Sequence, residues 1–289
     1  MKSTPGRRGG TAFVLTGGGS LGAAQAGMLA ALTAEGLKPD WICGVSAGAI
    51  NAAIYAHDPG AGTVDRMTAL WAAMTTRGAL GLSWRSILGL VGLSDHIASP
   101  RGLRQLLERE LRYASFAEAA MPLHVVCADS LTGEEVTLSS GSVIEAVIAS
   151  AAIPGIFPAV TLDGRRLVDG AVASSTAIAT AVRLGAERIV VLPAGFACAL
   201  PRPPARALGH AMHAITLIGA RQLRSDFERY STTASIHIVP PLCPVERSSL
   251  DYSSGGELAQ RARQSTEAWL RSGGLERSEF PGPLTAHRH

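Results

Sequence analysis

Ser46 lies in Gly44-Val45-Ser46-Ala47-Gly48, a G-x-S-x-G pentapeptide with an apolar run before it and an Ala-rich run after it. A serine hydroxyl becomes an effective nucleophile only when a base takes its proton during attack. The pentapeptide supplies the other requirement, a sharp strand-to-helix corner whose small neighbours let adjacent chain pass close by. A second segment, Gly17-Gly18-Gly19-Ser20-Leu21-Gly22, also stands between an apolar run and an Ala-rich one. Its successive backbone N–H groups suit an oxyanion. It equally satisfies G-x-G-x-x-G, the phosphate-binding turn of dinucleotide folds. A third segment, Asp169-Gly170-Ala171, puts a carboxylate at the end of a predicted strand, with glycine allowing a sharp exit. By itself an Asp-Gly pair is a routine turn.

The two readings of the glycine loop make different demands further on. A dinucleotide site needs an acidic residue at the end of the second strand to bind ribose. Here Asp40 stands at the beginning of that strand, and the serine corner occupies its end. A nicotinamide-dependent oxidoreductase therefore stays as the alternative from a different class. An ordinary Ser-His-Asp hydrolase is a second alternative, because His210, His213 and His237 follow Asp169 in the right order. However, His210 and His213 share one face of a predicted helix, and His237 falls in mid-strand. His57, His96 and His124 precede the aspartate, while His287 and His289 lie in a polar tail. No His, Cys or carboxylate cluster has metal-ligand spacing, so neither a metal nor a cofactor is expected.

The elements that must hold these segments follow from the apolar pattern. Residues 11–16 read as a buried strand, Leu21 to Ala34 as a helix, and Asp40 to Cys43 as a second strand leading into the serine corner. Strand, turn and helix thus occur twice within the first sixty residues, the beginning of a parallel sheet. Residues 63–120 read as largely helical, with Ser99 as an N-cap and Pro100 at the first helical position. Leu123 to Asp129 is a further buried strand. Ser142 and Glu145 form a capping-box pattern for a helix ending before Pro154. Val160–Leu162 and Arg165–Val168 flank an Asp163-Gly164 hairpin turn. Ile189–Leu192 and Ile236–Val239 are strands separated by a long helix near 205–229, and Leu258–Leu270 is a last amphipathic helix. Residues 78–97, with Trp84 and many leucines, suit an acyl-binding cap or membrane-touching surface, or else a core helix.

The chain is long enough for one large α/β domain, expected over residues 11–272, with flexible tails at 1–10 and 273–289. Its net charge of +3, without a basic run, gives no case for a nucleic-acid partner. Arg7-Arg8 before the uncharged run 9–34 imitates an export signal or a membrane span. Thr16, Gly17-Gly18-Gly19, Ser20 and Gln25 interrupt that run, so two elements joined by a glycine turn explain it better. Cys43, Cys127, Cys198 and Cys243 form no CxxC pair, which speaks against a disulfide framework and fits a reducing, cytoplasmic setting. The oligomeric state is not legible.

Taken in order, the glycine loop, G-x-S-x-G and Asp-Gly-Ala resemble the patatin-like phospholipase family. The resemblance runs from about Thr11 to about Ala194 and includes Ala149-Ser150-Ala151-Ala152-Ile153-Pro154-Gly155-Ile156-Phe157-Pro158. It implies a single three-layer domain with a mainly parallel central sheet flanked by helices. It also implies hydrolysis of lipid acyl esters, of phospholipase A, lysophospholipase or esterase type, with peripheral membrane contact. Ser46 would be the nucleophile, Asp169 the partner accepting its proton without a histidine, and the Gly18 and Gly19 amides the oxyanion donors. One departure stands out: many family members carry Lys or Arg before the last glycine of the loop, where this chain has Leu21.

Overall fold

The computed structural model describes residues 10–76, 78, 96–204 and 206–285. Its centre is an eight-stranded sheet built around β1 (Gly10–Leu15), which is buried on both faces and pairs in parallel with β2 (Trp41–Val45) and β7 (Ala186–Leu192). Parallel pairing continues outward from β2 to β3 (Leu123–Asp129) and from β7 to β8 (Ser235–Ile238). Beyond β3 the sheet turns antiparallel, with β4 (Glu135–Leu138) on one edge of β3 and the hairpin β5 (Val160–Leu162) and β6 (Arg165–Asp169) attached to the other.

The registers show which edge is which. Residues 123–126 of β3 pair with β2, 125–128 with β4, and 127–129 with β6. Since a residue has one partner per edge, β4 occupies one edge of β3 while β2 and β6 share the other, end to end. Val45 pairs with Val126 and Asp169 with the next residue, Cys127. The strand that delivers the serine and the strand that delivers the aspartate therefore meet tip to tip.

Side-chain alternation gives each face its own core. Phe13, Leu15 and Ile42 face the layer of α1 (Ala23–Ala34), α2 (Ala47–His57), α3 (Ala61–Ala73), α4 (Arg101–Glu110) and α5 (Val143–Ser150). Ala12, Val14, Cys43 and Val45 face α6 (Ile178–Arg183) and α7 (Ala207–Tyr230). A last helix, α8 (Gly255–Arg271), returns to the first face and packs along α1. The chain is thus a single α/β domain with a mostly parallel sheet between helical layers. No helix among the described residues is long and apolar enough to cross a membrane.

Several local expectations change. Pro100 itself is the N-cap of α4, with Ser99 Oγ accepting the Arg101 N–H at 3.3 Å, so the helix begins one residue late. Ser142 Oγ accepts from Glu145 N–H at 3.4 Å, but the Glu145 carboxylate reaches out to Arg104 instead of completing a capping box. Within the C-terminal stretch, residues 273–285 make several contacts with the domain. Ser278 Oγ donates to Ile236 O at 2.7 Å, Leu284 is buried, and the Phe280 ring meets Phe227 with centroids 5.7 Å apart. The reason is that α7 and β8 leave apolar surface that Phe280 and Leu284 cover. Cys198 and Cys243, distant in sequence, bring their sulfurs to 3.7 Å without a disulfide between them. The segment singled out as a cap, 78–97, lies almost wholly outside the described residues.

Candidate active site

Ser46 is the residue where β2 becomes α2, and it is held at φ 54° and ψ −120°. Such a backbone is costly for a residue with a side chain and persists only where its surroundings impose it. Two close approaches do so. A Cβ on Gly44 would stand 2.4 Å from Gly48 O, and one on Gly48 would stand 2.3 Å from Leu15 O. Glycine at both positions lets the corner close against itself and against β1.

The Ser46 hydroxyl donates to Asp169 Oδ2 at 2.7 Å. The other carboxylate oxygen accepts the Ala171 N–H at 2.9 Å, which fixes the plane of the carboxyl group. Both side chains are nearly buried, at 7% and 3% exposure, so neither is free to turn into water. Burial pushes the Asp169 carboxyl up to about 6, while the hydrogen bonds from Ser46 and from the Ala171 amide pull it down.

One segment, Ala149 to Pro158, grips both partners. Ser150 Oγ accepts the Ser46 N–H at 2.9 Å and donates to Val126 O at 2.6 Å. Two residues on, Ala152 O accepts the Asp169 N–H at 2.9 Å. Sequence reading had no role for Ser150. Its position just before the Ala-Ala-Ile-Pro turn was visible, but its two bonds are long-range contacts.

The glycine loop wraps the same site. The Gly17 N–H is engaged by Ser175 O at 3.1 Å, the Ser20 N–H by Ser249 O at 2.9 Å, and the Leu21 N–H by Gly18 O at 3.2 Å. The N–H groups of Gly18 and Gly19 have no hydrogen-bond acceptor among the described residues, and both residues line the cavity over Ser46. Gly19 has φ +58° and its α-carbon faces Ser249 O so closely that a Cβ there would stand 2.4 Å away. Leu21 is buried in the core, so the loop presents no cation from that position.

A chain of buried amides supports the loop from beneath. Gln25 Nε2 donates to Thr16 O and Leu192 O, Asn51 Nδ2 donates to Gly22 O and Gln25 Oε1, and Trp71 Nε1 donates to Asn51 Oδ1. Of these polar side chains, Gln25 stands out in the sequence as an interruption of an apolar run. Asn51 in the Ala-rich α2 carried the same signal.

The described histidines lie elsewhere. His237 is held by Ser235 Oγ at 2.9 Å and donates from Nδ1 to Arg277 O at 3.1 Å. His124 stands edge-on to Trp41, and His57 stacks on Tyr113. His210 is exposed on α7. Among the described residues lining the cavities at Ser46, none is a histidine. Asp40 is at the far end of β2, where Oδ2 accepts the Thr11 N–H at 2.7 Å.

A buried serine–aspartate pair where the carboxyl end of the parallel β2 meets that of the antiparallel β6, beside a loop with two unengaged amides, has the layout of an α/β hydrolase-like site. The Patatin model, described as patatin-like phospholipase, matches residues 13–182, and the chain belongs to that family. Lysophospholipase NTE1 of Phaeosphaeria nodorum is 24% identical over 251 residues, covering 87% of this chain and 16% of the relative. An NTE family protein of Mycobacterium bovis is 29% identical over 184 residues, 63% of this chain and 48% of its own length. The chain thus spans less than half of either relative. Human GIVD cytosolic phospholipase A2, solved with methyl gamma-linolenyl fluorophosphonate, superimposes with a TM-score of 0.50 at 12% identity, covering 93% of this chain and 60% of that one, a likeness of fold.

Proposed function

We propose that this protein hydrolyses lipid acyl esters by a serine–aspartate dyad. The observation that carries the reading is the direct 2.7 Å hydrogen bond from Ser46 Oγ to Asp169 Oδ2 inside an apolar cavity, with no imidazole between them. Ser46 Oγ attacks the ester carbonyl and its proton passes to Asp169. A carboxyl group raised to about 6 by burial is still ionised at neutral pH, yet is a stronger base than an exposed aspartate. The carbonyl electron pair moves onto oxygen, and the Gly18 and Gly19 amides receive it; one well-placed donor of this kind is worth about 3 kcal/mol. Collapse expels the alcohol oxygen, which takes the proton back from Asp169. Water then attacks the acyl-serine as Asp169 takes its proton, and collapse returns that proton to Ser46 Oγ as the fatty acid leaves.

The surroundings suit a lipid. Val172, Ile215 and Ile218 line the cavity and stay 54%, 38% and 63% exposed, an apolar rim that fits contact with a lipid aggregate. The names of the relatives point the same way. The test is labelling with a fluorophosphonate probe, which attaches at Ser46 of the parent and not of Ser46→Ala. Full esterase activity in Ser46→Ala would end this reading.

A further inference from the structure

Two cavities meet at Ser46, and they differ in what each offers. One, of about 280 Å³, runs beneath α7 and has Met212, Ile215, Ile218 and Leu223 among its walls. The other, of about 400 Å³, lies between α2, α3 and α4 and has Ile50, Leu70, Trp71 and Leu106 among its walls. Gly19, Ser46, Ile153 and Met212 line both, so the two cavities meet at the serine. Asp169, Ala171 and Val172 line the α7 cavity alone. Among the described residues around the α7 cavity there is no Lys, Arg or His, whereas Arg109 lines the other.

The position of Asp169 assigns the two halves of an ester. The proton that leaves Ser46 Oγ for Asp169 must next reach the departing alcohol oxygen, since an alkoxide is too poor a leaving group without it. The alcohol oxygen therefore has to lie on the Asp169 side of the serine. We propose that the cavity under α7 receives the alcohol half of the substrate and selects alcohols that carry an apolar chain, while the acyl chain occupies the cavity walled by α2, α3 and α4. This rests on the serine–aspartate reading of the site. A glycerophosphate headgroup on the alcohol side would meet Met212, Ile215 and Ile218 with no cation to pair its charge, and an unpaired charge is costly to take out of water. A fatty alcohol, or a glycerol backbone bearing a second acyl chain, fits the same walls.

The experiment uses the full chain and esters sharing one decanoyl group, all presented at equal mole fraction in non-ionic detergent micelles. The alcohols are ethanol, hexanol and glycerophosphocholine, and kcat/KM is read for each. The expected order is hexyl above ethyl by roughly tenfold, from burial of the added methylenes, with the glycerophosphocholine ester the poorest. Ile215→Gln/Ile218→Gln should collapse the hexyl-to-ethyl ratio, and Leu131→Gln, on an exposed turn away from both cavities, should leave it unchanged. Equal rates for all three alcohols, or preference for the glycerophosphocholine ester, overturns the assignment. So does a double variant that alters the preference between butanoyl and decanoyl ethyl esters while keeping the alcohol ratio. Failure of the underlying reading looks different: no ester is turned over and the fluorophosphonate leaves Ser46 unlabelled.

Discussion

Ser150 holds Ser46 by its backbone: the Ser150 hydroxyl accepts the Ser46 N–H at 2.9 Å and passes its own hydrogen to Val126 O at 2.6 Å. One side chain thus ties the positive-φ corner to the strand beside it. Ser150→Ala leaves a buried N–H and a buried C=O without this partner, a loss of about 2–4 kcal/mol. We expect a lower denaturation midpoint and a kcat reduced on the order of tenfold or more as the corner loosens. A drop in stability with kcat unchanged would show that the bond serves folding alone.

The raised Asp169 carboxyl predicts an acid limb. In the proposed mechanism only ionised Asp169 takes the Ser46 proton, so kcat/KM should fall about tenfold per pH unit below its pKa of about 6. A limb set by a histidine would instead vanish on replacing His210, His213 or His237, and those variants should keep the profile.

The same group links pH to stability. Its folded pKa of about 6 exceeds the ordinary carboxylate value of 3.8, so the folded protein holds this proton more tightly than the unfolded chain does. The contribution from Asp169 is most favourable below pH 4 and is lost as pH rises through 6. Asp169→Asn should be inactive yet more stable than the parent at pH 8, by up to about 3 kcal/mol. Chemical denaturation at pH 8 and pH 4 checks this, because the advantage should shrink at the lower pH.

Strain at Ser46 separates two inactive variants. Ser46→Ala keeps a side chain at φ 54°, whereas Ser46→Gly adopts that backbone freely. Ser46→Gly should therefore be the more stable of the two by about 1 kcal/mol. Equal unfolding midpoints would mean that the corner carries no strain.

The glycine loop offers a rescue experiment. A Cβ on Gly18 would stand 2.3 Å from the Ala194 Cβ, a contact no side chain tolerates. Gly18→Ala should displace the loop and abolish fluorophosphonate labelling. Adding Ala194→Gly removes the opposing methyl, and labelling should return in part. No recovery in the double variant would place the defect elsewhere than in this contact.

The sequence made the central framework legible because its signals are local. The buried strands around β1, the Asp163-Gly164 turn and the serine corner each declare themselves within a few residues. At that turn both residues have the positive φ that an Asp-Gly hairpin calls for. The segments missed are short or marginal. β4 has four residues, three of them half-buried, and α6 has six residues behind a left-handed Ala177. Ser150 and Asn51 act through partners distant in the chain, and no spacing rule reports that. In residues 273–285 a polar composition surrounds two apolar residues, Phe280 and Leu284, whose packing partners are distant in the chain.

Ser46 and Asp169 are 123 positions apart in the chain, yet Val45, the residue before the serine, and Asp169 pair with successive residues of β3, Val126 and Cys127. Pairing in a sheet admits whole-residue slips, and a slip of one turns every side chain to the opposite face. A molecule with β2 or β6 out of register would carry no weakened dyad; it would carry none. Turnover per milligram of refolded protein therefore becomes a headcount of correctly assembled sheets, and it should rise in step with any independent measure of native molecules.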